Sequence, residues 1–237
     1  MSDGALTGRV VAIAGAAGGL GPVVAQTLAD AGAALGLGGR DADRLRPVAS
    51  GLGLPEERVA TRAVDLLAPE SARAWADDLG ERFGGVDALV HLVGGWRGGK
   101  PIAEAPPEDD SFLLDSLARS VQVASRAFLP ALAERAGRFV IVSSPQAERP
   151  SGDNAAYGTA KAAAEAWTLA LAAELGARGG TANIIRVNAI VTPQMRAENP
   201  DKEYRTFTDA SEIAAATLFL LSDAGRKMNG QRLSLHP

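Results

Sequence analysis

RVVAIAGAAGGLG, from Arg9 to Gly21, decides how this chain is read. Arg9–Ala14 reads as a strand, apolar without a break from Val10 and rich in β-branched residues, the mark of a strand covered on both faces. It stops at Gly15, passes through a cluster of small residues, and enters the helical pattern of Leu20–Ala31. A buried strand, a glycine turn and a helix form the opening unit of a parallel α/β sheet.

The unit repeats along the chain. Further strands are expected at Ala33–Gly38, Arg58–Val64, Asp87–Val93, Arg138–Ser143, Asn183–Val191 and Gln231–Leu235. Helices are expected at Asp41–Ser50, Pro69–Phe83, Ser111–Arg135, Asn154–Arg178 and Asp209–Ser222. Alternation of this kind, with continuous rather than alternating apolar strands, predicts a doubly wound, mostly parallel sheet with helices on both faces. The 237 residues suit one domain, residues 1–237, with no linker or repeat inside it.

Composition narrows the class. Net charge is −4, which gives no basic surplus for nucleic acid. There are no cysteines, so disulfides and thiolate metal sites are excluded, and a cytoplasmic protein is expected. His91 and His236 are far apart, and no metal site is expected. No apolar run reaches the length of a membrane helix, and Met1–Arg9 does not read as a signal peptide.

Gly15, Gly19 and Gly21 are spaced G-x3-G-x-G at the mouth of a helix. Residues without side chains let the backbone approach a pyrophosphate, and the helix N-terminus offers N–H groups and partial positive charge. A tight turn that binds nothing is the plain alternative. Gly18 adds freedom but loosens the match. At the end of the second strand stand Gly39 and Arg40, where dinucleotide folds carry an acid for ribose hydroxyls or an arginine for a 2′-phosphate. Gly39 and Arg40 therefore favour NADP(H) over NAD(H), against a solvated arginine. Asp41 either neutralises Arg40 or caps the next helix. Asp65, after the third strand, is read as an adenine contact or as a turn aspartate.

Ser144, Tyr157 and Lys161 follow the fifth strand. Tyr157 and Lys161 are four apart in a helical stretch and share a face. An ammonium beside a phenol favours the phenolate, making Tyr157 a proton donor and acceptor near neutral pH. Ser144, just past a strand, faces the same carboxyl-end crevice and can hold a substrate oxygen. Taken singly, the pair reads equally as a solvated Tyr–Lys contact.

Together, AGAAGGLG (Ala14–Gly21), Ser143–Ser144 with Tyr157 and Lys161, and RVNAI (Arg186–Ile190) resemble the short-chain dehydrogenase/reductase family over roughly Leu6–Leu233. The resemblance implies a Rossmann domain with a seven-stranded sheet, assembled as a homotetramer or homodimer through the long helices after the fourth and fifth strands. It implies Tyr157 as acid/base, Lys161 as the residue that holds the nicotinamide ribose and lowers the tyrosine pKa, and Ser144 as the group that orients a carbonyl or alcohol substrate. It implies cofactor contacts from Gly15, Ala17, Gly18, Gly19, Leu20, Gly21, Arg40, Asp65, Leu66, Val93, Gly94, Tyr157, Lys161 and Thr192.

The chain departs from the family pattern in four places. His91 stands for the asparagine of N-x-A-G, as a structural or a catalytic histidine. Leu117 stands for the asparagine of the proton relay, with Asp115, Ser116 or main chain as substitutes. Thr192-Pro193 replaces P-G. The chain closes on Leu235-His236-Pro237 without the usual glycine pair, which puts the family's assembly in doubt. Pro193–Phe207 is a charged lid in which Arg196, Lys202 and Arg205 either meet an anionic substrate or are solvated. Trp96 and Arg97 are expected near the crevice mouth, with Trp96 lining the pocket or packing under its loop. Two functions follow: an NADP-dependent oxidoreductase, or a cofactor-binding protein with little catalysis that acts as a sensor or through partners.

Overall fold

The computed structural model describes residues 4–236. Met1–Asp3, in the stretch read for a signal peptide, and Pro237, in the C-terminal reading, lie outside the described residues. The strands are β1 (Val10–Ala14), β2 (Ala34–Gly39), β3 (Val59–Ala63), β4 (Ala88–His91), β5 (Arg138–Ser143), β6 (Thr181–Arg186), β7 (Ala189–Val191), β8 (Phe207–Asp209) and β9 (Arg232–Ser234). The α-helices are α1 (Gly21–Asp30), α2 (Ala42–Gly51), α3 (Pro69–Phe83), α4 (Pro107–Leu113), α5 (Ser120–Glu134), α6 (Ala155–Gly176), α7 (Pro193–Glu198) and α8 (Ala210–Leu221).

Seven strands form one parallel sheet in the order β3-β2-β1-β4-β5-β6-β9. This is the Rossmann-type arrangement expected from the strand pattern. The central strands β1 and β4 are buried along their whole length, whereas edge strands β3 and β9 are half exposed. Core on one face joins α1 and α8 to the sheet through Val24, Leu28, Ile213 and Leu220. Core on the other joins α3, α5 and α6 through Trp75, Phe128, Leu132 and Leu171. Chain order reverses between β1 and β4, so a crevice opens at their carboxyl ends, the place where such sheets take ligands.

Two expected elements are broken. The Asn183–Val191 strand is β6 followed by a separate β7. Beyond Arg186 the chain leaves the sheet at Val187 and Asn188, and β7 pairs with β8 in its own two-stranded parallel sheet. The Asn188 side chain bridges to the Thr206 carbonyl at 3.2 Å, fixing that departure. The Ser111–Arg135 helix begins earlier, at Pro107, and loosens into a π-helical stretch over Leu114–Arg119 before α5. A π turn inserts an extra residue and is found mostly at functional sites. Here it carries Leu117.

Candidate active site

The crevice begins at the glycine turn. Gly15 has φ of 81°, and a Cβ there would lie 2.9 Å from the Val93 main-chain nitrogen, so only glycine lets β4's end pass this close. A Cβ on Gly21 would land on the Ala16 carbonyl. The turn is thus tightly wound and brings Val93 and Gly94 beside it. α1 starts with no side-chain cap and no acidic residue in its first turn, which leaves its N-terminal N–H groups for an anion. Thr192 reaches the same turn, its methyl 3.4 Å from the Cβ position of Gly19. Its hydroxyl accepts a hydrogen bond from Met195 N at 3.2 Å and remains able to donate. This cradle fits a dinucleotide pyrophosphate.

Arg40 is exposed at the end of β2 and makes no hydrogen bond or ion pair among the described residues. Asp41 caps α2 instead of pairing with it: its carboxylate accepts from Asp43 N at 2.8 Å and Arg44 N at 3.4 Å. Arg44, which the sequence gave no reason to single out, donates to the Ala17 carbonyl at 3.0 Å and braces the glycine turn. Asp65 accepts from Leu67 N at 2.9 Å in a local turn, beside the buried Leu66.

Ser144 is buried just beyond β5, and Lys161 is buried on α6. Tyr157, one turn before Lys161, is half buried, and the Ser144 hydroxyl acts on its phenol. The Lys161 ammonium donates to the Val142 carbonyl at 2.8 Å and lies 5.8 Å from the Tyr157 ring centre. The three expected residues therefore meet at one place. The expected electrostatics are partly different. Burial pushes the Tyr157 phenol above its ordinary value, and Ser144 only opposes this. Lys161 does not draw the phenol down here because its ammonium is turned to main chain. Burial instead pulls Lys161 down to about 8, with Glu165 acting against it.

The departures take definite roles. His91 ends β4 fully buried, 3.2 Å from the Ser120 hydroxyl. Burial first, and the Lys161 charge second, lower its pKa to about 3, so it is neutral at physiological pH. A neutral, buried histidine held by a helix serine fits the structural reading. Leu117 is buried with Leu113 and Ala160, and Tyr157 packs against the cluster. It replaces a polar side chain with an apolar wall. Asp115 does not substitute, since it pairs with Arg119 at 3.1 Å. The buried Ser116 hydroxyl has no partner among the described residues.

Around the mouth, Trp96 donates to Asn154 Oδ1 at 2.8 Å, and Gly99 N to the Asp153 carbonyl at 2.8 Å. Arg97 pairs with Asp109 at 2.8 Å and lies over Phe112. These contacts fasten the 94–100 loop to α4 and the turn before α6. A cavity of about 440 Å³ lies there, lined by Arg97, Lys100, Ile102, Leu114, Asn154 and Thr159. Trp96 and the three central residues do not line it, so it is separate from the reacting centre. In the lid, Arg196 pairs with Asp209 at 3.2 Å, Arg205 with Glu203, and Lys202 stacks 4.9 Å from the Tyr204 ring. Arg196 and Arg205 are thus paired with carboxylates and Lys202 lies against an aromatic ring, which weakens the reason to expect an anionic substrate from them. Among the described residues no group of His, Asp or Glu gathers to hold a metal ion.

The fold and the crevice have relatives. A family profile described as enoyl-(acyl carrier protein) reductase matches residues 15–235. This chain belongs to the short-chain dehydrogenase/reductase family. The 3-oxoacyl-(acyl-carrier-protein) reductase FabG of Vibrio cholerae is 28% identical over 183 residues, covering 73% of this chain and 75% of that protein. A short-chain dehydrogenase from Burkholderia cenocepacia, solved in complex with NADP, is 30% identical with a TM-score of 0.83, covering 97% of this chain and 96% of that one. A short-chain oxidoreductase of Pseudomonas aeruginosa, described as containing an atypical catalytic center, is 27% identical with a TM-score of 0.87, covering 97% and 96%. The chain is accordingly an NAD(P)-dependent oxidoreductase of this family.

One residue beside the centre escaped the sequence reading. Glu165, one turn beyond Lys161, is buried and accepts from Arg186 at 2.8 and 2.5 Å and from Arg232 at 2.7 Å. Its signal was present as the continued four-residue spacing Tyr157, Lys161, Glu165.

Proposed function

We propose that the protein interconverts a carbonyl and an alcohol on a small molecule by hydride transfer, with NADP(H) preferred over NAD(H). The observation that carries this reading is the convergence of buried Ser144, Tyr157 and buried Lys161 past the end of β5, with the Lys161 ammonium 5.8 Å from the Tyr157 ring and bonded to the Val142 carbonyl. Gly15, Ala17, Gly18, Gly19, Leu20 and Gly21 would hold the pyrophosphate, and Arg40 would pair with the 2′-phosphate. Asp65 and Leu66 would serve the adenine, and Val93, Gly94 and Thr192 the nicotinamide end. The chemistry supplied by the bound dinucleotide is hydride transfer to or from the substrate carbon. Ser144 holds the substrate oxygen, Tyr157 gives it a proton in the reducing direction, and Lys161 fixes the ribose. A phenol kept protonated by burial suits the role of donor.

The experiment is NADPH and NADH consumption with a panel of ketones and aldehydes, repeated with Tyr157→Phe. Oxidation of NADPH that disappears in the variant supports the reading; near wild-type turnover in the variant overturns the role of Tyr157. One observation favours a second reading: apolar Leu117 walls off the tyrosine where the family relay holds water. A binding protein with slow or absent catalysis, acting as a sensor, fits that wall. Cofactor binding without consumption across the panel selects it.

The same reading treats residues 1–237 as one dinucleotide-binding domain, working in the cytoplasm without nucleic acid or membrane. Among the described residues no helix is long and apolar enough to cross a membrane. A homotetramer or homodimer is the expected assembly, supported by apolar side chains left outside: Ile102 is 70% exposed, and Phe112 and Leu114 are exposed on the α4 side. Light scattering of the purified protein tests it.

A further inference from the structure

Lys161 carries a problem that its own hydrogen bond does not solve. An ammonium taken out of water needs a counter-charge, or it gives up its proton. Its one bond among the described residues is to a neutral carbonyl, Val142 O at 2.8 Å. The groups around it come from several elements. His91, from β4, is buried and neutral. Tyr157, one turn before it on α6, is a neutral phenol. Val142 and Ser144 belong to β5 and the turn after it. Among the described residues, the negative group that acts on it is Glu165, one turn further along the same face of α6.

Glu165 is built to stay ionised. It is 2% exposed, and both its oxygens are taken: Arg186 Nε donates to Oε1 at 2.8 Å, while Arg186 Nη2 at 2.5 Å and Arg232 Nε at 2.7 Å donate to Oε2. Burial alone would push this carboxyl up, but the arginine bonds hold it below its ordinary value. The clamp spans the fold. Arg186 ends β6, Arg232 starts β9, and the remaining Arg186 nitrogen reaches Glu148 at 2.5 Å, four residues past Ser144. The helix that carries Lys161, the turn that carries Ser144 and the last strand are therefore joined at one carboxylate.

We propose that Glu165 is a positioning residue of the active site, the fixed counter-charge for the Lys161 ammonium, held in place by Arg186 and Arg232. It touches neither substrate nor cofactor and acts through the lysine. The proposal deepens the reading of Lys161 as the cofactor-holding cation and rests on it for its functional meaning.

The test needs neither cofactor nor substrate, so its failure leaves the hydride-transfer reading untouched. Protein labelled with 13C-lysine is titrated by NMR, and Lys161 Cε is assigned by its loss in Lys161→Met; Lys100, Lys202 and Lys227 supply internal references. In Glu165→Gln, which keeps the shape and removes the charge, the Lys161 midpoint falls below the wild-type value by about one unit or more. Glu174→Gln, exposed on the same helix, leaves it unmoved. A Lys161 midpoint unchanged in folded Glu165→Gln overturns the proposal and leaves Glu165 a purely structural anchor. Should that variant fail to fold, Glu165→Leu with Arg186→Met removes both buried charges together, an exchange that buried ion pairs often tolerate. A fall in the same direction, smaller because the Arg186 charge leaves with the carboxylate, is expected there, and no fall overturns the proposal.

Discussion

Two buried carboxylates, at opposite ends of the sheet, are each gripped by two arginines. Asp87, entering β4 at the amino end, accepts from Val10 N at 2.8 Å, from Arg135 at 3.0 Å and from Arg9 at 3.4 Å. Glu165 has its clamp beside Lys161. The difference lies in what else is near. Around Asp87 are strand starts and a helix end, and its charge satisfies main chain. Around Glu165 are a buried ammonium and the serine turn. One device serves folding at one end and chemistry at the other, so a buried ion cluster is not by itself a mark of function.

Four changes test that division, from the largest effect down. Tyr157→Phe, at the carboxyl end, lowers turnover by about 10²–10⁴-fold, the usual weight of a positioned general acid. Thermal unfolding of the variant stays near wild type; a large loss of Tm would mean that the phenol serves the fold as well. Asp87→Ala does the reverse. It leaves Val10 N–H without an acceptor and costs about 1–3 kcal/mol, or roughly 2–4 °C of Tm per kcal/mol for a chain of this size. Activity per folded molecule is kept, and a selective loss of activity would erase the contrast.

Arg40→Ala weakens NADPH binding by about tenfold, the size of one charge-assisted hydrogen bond, and leaves NADH unchanged in parallel fluorescence titrations. Equal losses for both would mean that Arg40 does not see the 2′-phosphate. The remaining test is of pH. Lys161 titrates at about 8 in the fold, below its usual value of about 10.4. Between those two values the unfolded chain holds the extra proton, so this group makes the fold more stable as pH rises through that window. Urea denaturation at pH 8 and pH 10, compared between wild type and Lys161→Met, measures the difference. A larger gain with pH in wild type is expected; equal gains would place the lysine's titration outside the window.

Much of this was legible in the chain. Unbroken apolar runs gave the parallel sheet, and the glycine turn and Ser144, Tyr157 and Lys161 came together as their positions after strands required. Periodicity failed where local rules changed. The run Asn183–Val191 is mostly apolar, and nothing in it announces that Val187 and Asn188 leave the sheet for a partner, β8, near residue 208. The π turn at Leu114–Arg119 keeps helical composition, so its extra residue is invisible to spacing. Direct pairing of Lys161 with Tyr157 was inferred from their separation. Burial, which a sequence does not display, turned the ammonium toward Val142 and raised the phenol. Glu165 was missed because its partners lie 21 and 67 positions away.

That last separation bears on how the protein is made. A chain emerging from its N-terminus has the glycine turn, β2 and Arg40 in hand early, and its first layers can pack while synthesis continues. The clamp on Glu165 waits for Arg232, in the final strand to join the sheet. A nascent chain would thus acquire its nucleotide cradle long before its lysine is braced, and the reacting centre would mature only once β9 has been made.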